Sequence, residues 1–209
     1  MLKVLIADDH SLFRRGVKDL LSHELGPVTI GECGDAHELL ELVRHKMWDL
    51  LILDIGMPGT TGSEALKRVK SERPELPVII LSMHPEDQYA VRLFKAGANA
   101  YLMKASTSQE LVKAVRKVLA GGQYVSATLG EKLVLLLHQG TDQAPHARLS
   151  DREYEVMRLL ASGKTVSEIA DCLCLGTTTV STYRTRILDK LHLRNNAELM
   201  RYAVQHEIV

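Results

Sequence analysis

Residues 49–59 read DLLILDIGMPG, an apolar run that ends abruptly on one carboxylate, Asp54, and then on a Met-Pro-Gly turn. A short apolar run without polar alternation is typical of a strand buried on both faces of a parallel sheet. Asp54 would then lie at the carboxyl end of that strand, where open α/β sheets bind their ligands. An aspartate that simply begins a turn would leave the same local pattern.

A second predicted strand, Leu2 to Ala7, also ends in acid, at Asp8 and Asp9. Neighbouring parallel strands lie about 4.8 Å apart, so three carboxylates meet if the two strands are adjacent. Such a cluster repels itself unless a cation binds within it. All-oxygen ligands favour a hard ion, Mg2+ before Zn2+, which retains several of its waters.

Short strands alternate with segments of helix length up to about residue 120, which predicts an α/β fold with a doubly wound, five-stranded parallel sheet. The predicted strands are Leu2 to Ala7, Val28 to Cys33, Leu50 to Leu53, Val78 to Leu81 and Ala100 to Met103. The predicted helices lie near residues 11–24, 35–45, 61–72, 86–96 and 107–120, the last with a capping box of Thr107 and Glu110. Ser82 and Lys104 each follow a strand, so they should join the three acids at one edge of the sheet.

The composition limits the possible partners. At 209 residues and 45% hydrophobic content, the chain can form one large domain or two modest ones. Lys+Arg and Asp+Glu are both 26, so any nucleic-acid surface must be local. The chain lacks a signal-peptide pattern and an apolar run of membrane-spanning length, which predicts a cytoplasmic protein without membrane contact. Cys33, Cys172 and Cys174 have no paired C-x-x-C and no nearby histidines, so we interpret them as buried or reduced residues.

The chain divides into a first domain, residues 1–122, a helical extension and linker, residues 123–148, and a second domain, residues 149–209. The extension covers residues 123–138, and the linker is predicted to be extended. The second domain has an all-α pattern of four helices. Its capping signatures are Ser150 with Glu153, Thr165 with Glu168 and Asn195 with Glu198. The short turn at Leu175-Gly176 predicts a helix-turn-helix, although a small dimerising bundle fits the same pattern.

The third helix of the second domain, residues 177–191, favours DNA binding. Its packed stripe is Val180, Tyr183, Ile187 and Leu191, with Arg184 at the flank. Its opposite face carries short hydroxyl side chains and two basic ones: Thr178, Ser181, Thr182, Thr185, Arg186 and Lys190. Short hydroxyls allow close approach to base edges, while arginine and lysine can reach phosphates. Residues 148–209 hold nine Lys/Arg and eight Asp/Glu, which favours sequence-specific binding by a dimer.

These motifs resemble two known domains. Residues 1 to about 120 resemble a CheY-like receiver in Asp8-Asp9, the D-x-x-M-P run Asp54 to Pro58 with Gly62, Ser82, and Tyr101 three residues before Lys104. Residues 149–209 resemble the LuxR-type helix-turn-helix in Leu149-Ser-x-Arg-Glu153, Glu168-Ile-Ala170, Thr179-Val180 and Ile187-Leu-x-Lys-Leu191. Together they are similar to NarL/FixJ-family response regulators over nearly the whole chain.

The resemblance implies that Asp54 accepts a phosphoryl group from a sensor histidine kinase. It also implies that Asp9, Asp54 and the Gly56 carbonyl hold Mg2+, with Asp8 acting largely through water. Lys104 would pair with the phosphoryl oxygens. Ser82 would hydrogen-bond one of them, drawing its loop inward so that Tyr101 turns toward the interior.

For the second domain, the resemblance assigns base reading to Thr178, Ser181, Thr182 and Thr185, and backbone contacts to Thr179, Arg186 and Lys190. The implied protein is a phosphorylation-controlled, DNA-binding transcription regulator, a homodimer when phosphorylated and not an enzyme. The unphosphorylated receiver would either cover the third helix or fail to dimerise.

The sequence departs from the two patterns at several positions. Ala105 stands where many receivers have proline, Gly176 where a serine often caps the third helix, and Ser181 where some members carry lysine. Met83 is bulkier than usual beside Ser82, and Gly56 and His84 lie where side chains tune hydrolysis of the phosphoryl group.

Two other classes of protein use similar sequence features. A metal-dependent phosphohydrolase could use the same carboxylates, but Gly56 stands where haloacid-dehalogenase-like phosphatases place their general acid. A pure protein-interaction module would be distinguished by asking whether residues 149–209 bind promoter DNA.

Overall fold

The computed structural model describes residues 1–57, 62–83, 86–127, 129–131, 145–206 and 208–209. The chain divides into two compact units, Met1–His138 and Gln139–Val209. Pro58, His84 and most of the predicted linker lie outside the described residues. No helix in the described ranges is both long and apolar enough to cross a membrane.

The first unit is built on a five-stranded sheet in the order β2-β1-β3-β4-β5, with every neighbouring pair parallel. Its strands are β1 (Leu2–Ala7), β2 (Val28–Cys33), β3 (Leu50–Asp54), β4 (Val78–Ser82) and β5 (Ala100–Met103). The predicted fold and the strand order implied by the resemblance are confirmed. β3 and β4 each run one residue further than predicted, so Asp54 and Ser82 are the last residues of their strands.

Helices cover both faces of this sheet. They are α1 (Ser11–Leu25), α2 (Ala36–His45), α3 (Gly62–Glu72), α4 (Glu86–Lys95) and α5 (Ser108–Leu119). Leu51 and Leu53 of β3 belong to the core cluster that includes residues of α2, α3 and α4, whereas Leu50 and Ile52 belong to the cluster that includes residues of α1 and α5. The continuous apolar run therefore reflects burial on both faces, because successive side chains of a strand point to opposite sides.

The helical extension predicted from residue 123 is wrong at its start. Tyr124 forms an isolated parallel bridge with Ala100, and its N–H donates to the Asn99 carbonyl at 2.9 Å. Helix is described only at residues 127 and 129–131 of this segment. The Thr107 hydroxyl accepts the Glu110 N–H as predicted, but the Glu110 carboxylate accepts the Tyr124 hydroxyl at 3.2 Å. The predicted capping box is therefore only half formed.

The second unit begins with a short 3-10 turn, Pro145–Arg148, followed by α6 (Asp151–Ala161), α7 (Val166–Leu173), α8 (Thr177–Leu191) and α9 (Asn196–Gln205). The four predicted helices are confirmed. Two reciprocal capping boxes form, at Ser150 with Glu153 and at Thr165 with Glu168. Asn195 caps α9 through the Glu198 N–H, and the Glu198 carboxylate accepts the N–H of Arg194 instead of that of Asn195.

All three cysteines are free thiols. Cys33 is buried at the end of β2, and burial raises the pKa of its thiol to about 12. Cys172 and Cys174 are exposed. Of the two predicted alternatives, buried or reduced, these two residues therefore fit the second.

Candidate functional site

The predicted meeting of the three carboxylates is confirmed. β1 pairs directly with β3, with Ala7 opposite Leu53, so the acids that follow these residues lie side by side. Asp8, Asp9, His10 and Asp54 each offer one ligand atom, and these four atoms all lie within 4.8 Å of one another. Asp8 and Asp54 are only 2% and 3% exposed. We call this group the acidic cluster.

Lys104 reaches the acidic cluster from the residue that follows β5. Its ammonium lies 2.7 Å from Asp8 Oδ2 and 2.7 Å from Asp54 Oδ2. The ring of Phe13 packs against the same ammonium, with Nζ 4.9 Å from the ring centre. One buried cation therefore bridges the two buried carboxylates, as expected where charge cannot be left unpaired.

Burial and the neighbouring charges shift the pKa values of Asp54 and Lys104. Burial raises the pKa of Asp54, although the ammonium of Lys104 and the Gly56 N–H at 2.9 Å both favour the carboxylate. Burial alone would lower the pKa of Lys104, but its contacts with Asp54 and Asp8 raise it overall. The pKa of both groups is raised, for different reasons. The Lys104 ammonium has two carboxylates beside it, whereas Asp54 shares that ammonium with Asp8, whose negative charge repels its own.

Gly56 keeps the space beside Asp54 open. A β-carbon at this position would lie 3.4 Å from Asp54 Oδ1, the atom that accepts the Gly56 N–H. A larger side chain here would therefore project from next to the Asp54 carboxylate. The role predicted for the Gly56 carbonyl as a metal ligand stays a prediction.

Ser82 and Tyr101 are both fully buried on the strands beyond Asp54. Asp54 pairs with Leu81, so Ser82 is one residue further along the neighbouring strand, and the Lys104 N–H donates to its carbonyl at 2.7 Å. Tyr101 lies in the core cluster that includes Leu51 and Leu53 of β3. Its side chain thus occupies the inward position in this structure, and Ser82, Lys104 and the acids share one sheet edge as predicted.

His10 belongs to the acidic cluster but was not predicted from the sequence. Its Nδ1 lies 2.7 Å from Asp9 Oδ1, and its backbone N–H donates to Asp8 Oδ1 at 2.8 Å. The sequence signal was its position directly after the two acids. A prediction limited to oxygen ligands passes over it.

The residues predicted to contact DNA bases or backbone lie together on α8. Every one of them is exposed: Thr178, Thr179, Ser181, Thr182, Thr185, Arg186 and Lys190. The Thr182 hydroxyl donates to the Thr178 carbonyl at 2.9 Å, and that of Thr185 to the Ser181 carbonyl at 3.1 Å. Because these hydroxyl protons are used within the helix, each hydroxyl oxygen remains as an acceptor and each methyl is available for apolar contact.

Two basic residues of α8 have partners inside the domain. Arg184 Nε donates to Asn196 Oδ1 at 2.6 Å, which agrees with its predicted place at the packed flank. Lys190 Nζ lies 2.7 Å from Glu153 Oε2, a buried carboxylate at the start of α6. This contact occupies the ammonium that the sequence assigns to the DNA backbone. Arg186 is exposed and remains the basic side chain of α8 best placed for a phosphate.

Comparison with known proteins finds two family models in this chain. Residues 4–116 match the response regulator receiver domain, and residues 147–203 match the bacterial regulatory proteins of the luxR family. The response regulator GacA of Pseudomonas aeruginosa is 35% identical over 210 residues, covering 100% of this chain and 98% of GacA. UvrY of Escherichia coli K12 is 31% identical over 207 residues, covering 99% and 95% of the two chains.

The chain is also similar to a solved structure of RcsB from Salmonella enterica serovar Typhimurium, bound to promoter rprA in the presence of the phosphomimetic BeF3-. The sequence identity is 27%, the TM-score is 0.63, and the match covers 97% of this chain and 98% of that one.

Proposed function

Since this chain belongs to the NarL/FixJ family of response regulators, with a receiver domain and a LuxR-type DNA-binding domain, we propose that a sensor histidine kinase phosphorylates Asp54 and so controls promoter binding. The observation that carries the proposal is the buried Asp54 carboxylate within the acidic cluster, bridged to Asp8 by Lys104.

Asp54 is the nucleophile of the proposed transfer. One of its oxygens bonds to phosphorus while the bond from phosphorus to the donor nitrogen breaks and its electrons return to the donor. The buried ammonium of Lys104 is next to the same carboxylate and pairs with the oxygens of the incoming group. Ser82, at the end of the adjacent strand, donates a hydrogen bond to one of them.

The acidic cluster fits a divalent cation, because three of its four ligand atoms are carboxylate oxygens and Lys104 pairs with two of the three carboxylates, Asp8 and Asp54. We propose that Asp8, Asp9, Asp54 and the Gly56 carbonyl hold Mg2+. When bound, the ion offsets the charge that develops on the phosphoryl oxygens.

A cavity of about 710 Å3 opens beside Lys104, between α1 and the start of α5. Leu12 and Met83, both exposed, and Phe13 contribute to its largely apolar lining. We propose that the kinase docks on this surface, which would bring its phosphorylated histidine to Asp54. Exposed apolar side chains beside a reactive group are typical of an interaction site.

The second domain would read promoter DNA through the exposed face of α8. In support, the DNA-bound RcsB structure shares this two-domain architecture. We also propose a homodimer, since the nearly balanced charge of residues 148–209 gives each copy modest affinity. Met200 and Val204, four residues apart on α9, expose an apolar stripe that a second copy could cover. Phosphorylation would act by uncovering α8 or by promoting this dimer, in the cytoplasm and without enzymatic turnover.

The decisive experiment incubates the full chain with acetyl phosphate and Mg2+ and measures intact mass and promoter binding in parallel. We expect one phosphoryl group on the wild-type chain, none on Asp54→Asn, and tighter or differently assembled DNA complexes only for the phosphorylated form. An adduct that survives in Asp54→Asn, or identical DNA binding in both states, would refute the proposal. Release of more than one equivalent of product from a generic phosphate ester would instead support a phosphohydrolase.

A further inference from the structure

Two consecutive arginines, Arg14 and Arg15, lie near the start of α1, and they have different environments. Arg15 is exposed, whereas the Arg14 side chain is only 18% exposed and points back toward the acidic cluster. We propose that Arg14 is a positioning residue, which holds the Asp8 main chain so that the Asp8 and Asp9 carboxylates are fixed for cation binding. This inference rests on the proposed function of the acidic cluster and adds a residue that acts on it indirectly.

Arg14 makes contacts in two directions. One of its terminal nitrogens donates a hydrogen bond to the Asp8 carbonyl. Its Nε lies 3.6 Å from Glu32 Oε2 on β2, which is too far for a hydrogen bond but close enough for an ion pair. A β-carbon at Gly34 would lie 3.6 Å from Arg14 Nη1, an ordinary van der Waals distance, so this position does not crowd the guanidinium.

The Asp8 main chain is thus held at both of its polar groups. Its N–H donates to the Cys33 carbonyl at 3.1 Å, and its carbonyl accepts from Arg14. Glu32 and Cys33 are consecutive residues of β2, so one strand anchors both contacts, directly at the amide and through the ion pair at the carbonyl. The two contacts fix the orientation of the Asp8 backbone and therefore the direction of its side chain.

Glu32 is well placed as the anchor of Arg14. Its carboxylate also accepts a hydrogen bond from Lys18 at 2.9 Å, and this bond, with the charges of Lys18 and Arg14, keeps the pKa of Glu32 below its ordinary value despite partial burial. Glu32 therefore stays ionised near neutral pH. A planar guanidinium can face a carbonyl and a carboxylate at once, whereas a lysine ammonium at position 14 is a point charge and would favour one of them.

The test compares Arg14→Gln with Arg15→Gln, which removes the same charge from the adjacent residue. Mg2+ binding to the full chain is measured by titration calorimetry, and phosphorylation by acetyl phosphate is measured over a range of Mg2+ concentrations. We expect Arg14→Gln to weaken Mg2+ binding roughly tenfold, as is usual when a group that orients a metal ligand is lost. Arg15→Gln should change it by less than about twofold, the small effect expected of an exposed charge.

The rate at saturating Mg2+ separates positioning from general damage. Since Arg14 does not touch the reacting atoms, we expect Arg14→Gln to retain this rate within about threefold, because the site is still formed once the cation binds. Glu32→Gln leaves the arginine in place but removes its anchor, and should weaken Mg2+ binding in the same direction. Equal Mg2+ affinities in Arg14→Gln, Glu32→Gln and Arg15→Gln would overturn the inference. Failure of the wild-type chain to be phosphorylated would instead overturn the proposed function.

Discussion

Lys190 allows a direct test of whether a basic residue of α8 serves the fold or the DNA. Its ammonium lies 2.7 Å from Glu153 Oε2, and the Ser150 N–H donates to the same oxygen at 2.7 Å. Glu153 is almost fully buried, whereas Lys190 is 43% exposed. Replacement by methionine keeps the length of the side chain and removes the charge.

The expected loss of stability follows from this geometry. A hydrogen bond between charged groups contributes about 1.5–3 kcal/mol, and the exposure of Lys190 reduces this to about 1 kcal/mol. Glu153 keeps the Ser150 amide as a partner, so the buried carboxylate is not left alone. For a domain of this size, about 1 kcal/mol corresponds to a fall in Tm of about 4–8 °C.

The assay pairs this stability measurement with the salt dependence of DNA binding. The slope of log affinity against log salt concentration is negative, and each lost phosphate contact reduces its magnitude by about 0.9. We expect Lys190→Met to weaken hydrogen-exchange protection in α6 and α8 while leaving the slope unchanged. Arg186→Met should reduce the magnitude of the slope by about 0.9 per chain and leave protection unchanged.

The opposite pattern would refute this reasoning. If Lys190→Met reduced the magnitude of the slope and left exchange protection intact, the ammonium would contact a DNA phosphate and contribute little to the fold. The assignment made from the sequence alone would then be correct.

Three other expectations concern stability, pH and thiol reactivity. In Gly31→Ala, the β-carbon would lie 2.2 Å from Trp48 Cη2, so we expect the free energy of unfolding to fall by about 1–3 kcal/mol. Gly16→Ala has open space at its β-carbon and should raise that free energy by about 0.4–1 kcal/mol. The fluorescence of the single tryptophan during urea unfolding measures both changes. Burial alone would raise the pKa of Glu153, but its hydrogen bonds hold that pKa below 4.5. The stabilisation that the ionised Glu153 provides is therefore complete above about pH 4.5 and is lost as the pH falls through the pKa of the folded state. Glu153→Gln should remove this pH dependence from thermal unfolding curves. With the pKa of Cys33 raised to about 12, the native chain should take up two equivalents of iodoacetamide, at its two exposed cysteines, and the third only after unfolding.

Much of the fold could be predicted because local sequence patterns indicate its strands and helices. The apolar run Leu50 to Leu53 predicted a strand buried on both faces, and both faces are buried. Position after a strand then predicted which side chains meet, because parallel strands place their carboxyl ends at one edge. The segment after residue 122 was predicted wrongly since Tyr124 pairs with Ala100, a contact between distant residues that periodicity does not report.

The side-chain contacts of the site were harder to predict than its members. Glu153 and Lys190 were recognised separately, one as a capping residue and the other as a DNA contact, but their ion pair joins residues 37 positions apart. Arg14 and Arg15 are adjacent residues of the same type, and the contacts of Arg14 with Asp8 and Glu32 join α1 to other elements. Such contacts depend on how the elements pack, which local sequence patterns do not specify.

The charge of the acidic cluster explains why phosphorylation should change the conformation of the loops around it. Asp8, Asp9 and Asp54 carry three negative charges, Lys104 offsets one, and a divalent cation would offset the other two. A phosphoryl group on Asp54 replaces one negative charge by about 1.5–2, so the bridging ammonium of Lys104 should turn from Asp8 toward the new oxygens. The Lys104 N–H is bonded to the Ser82 carbonyl at 2.7 Å, so a shift of this residue pulls on the ends of β4 and β5 together. Met83, exposed directly after Ser82, should therefore change its environment on phosphorylation, which links a charge at one carboxylate to the outer surface of the receiver.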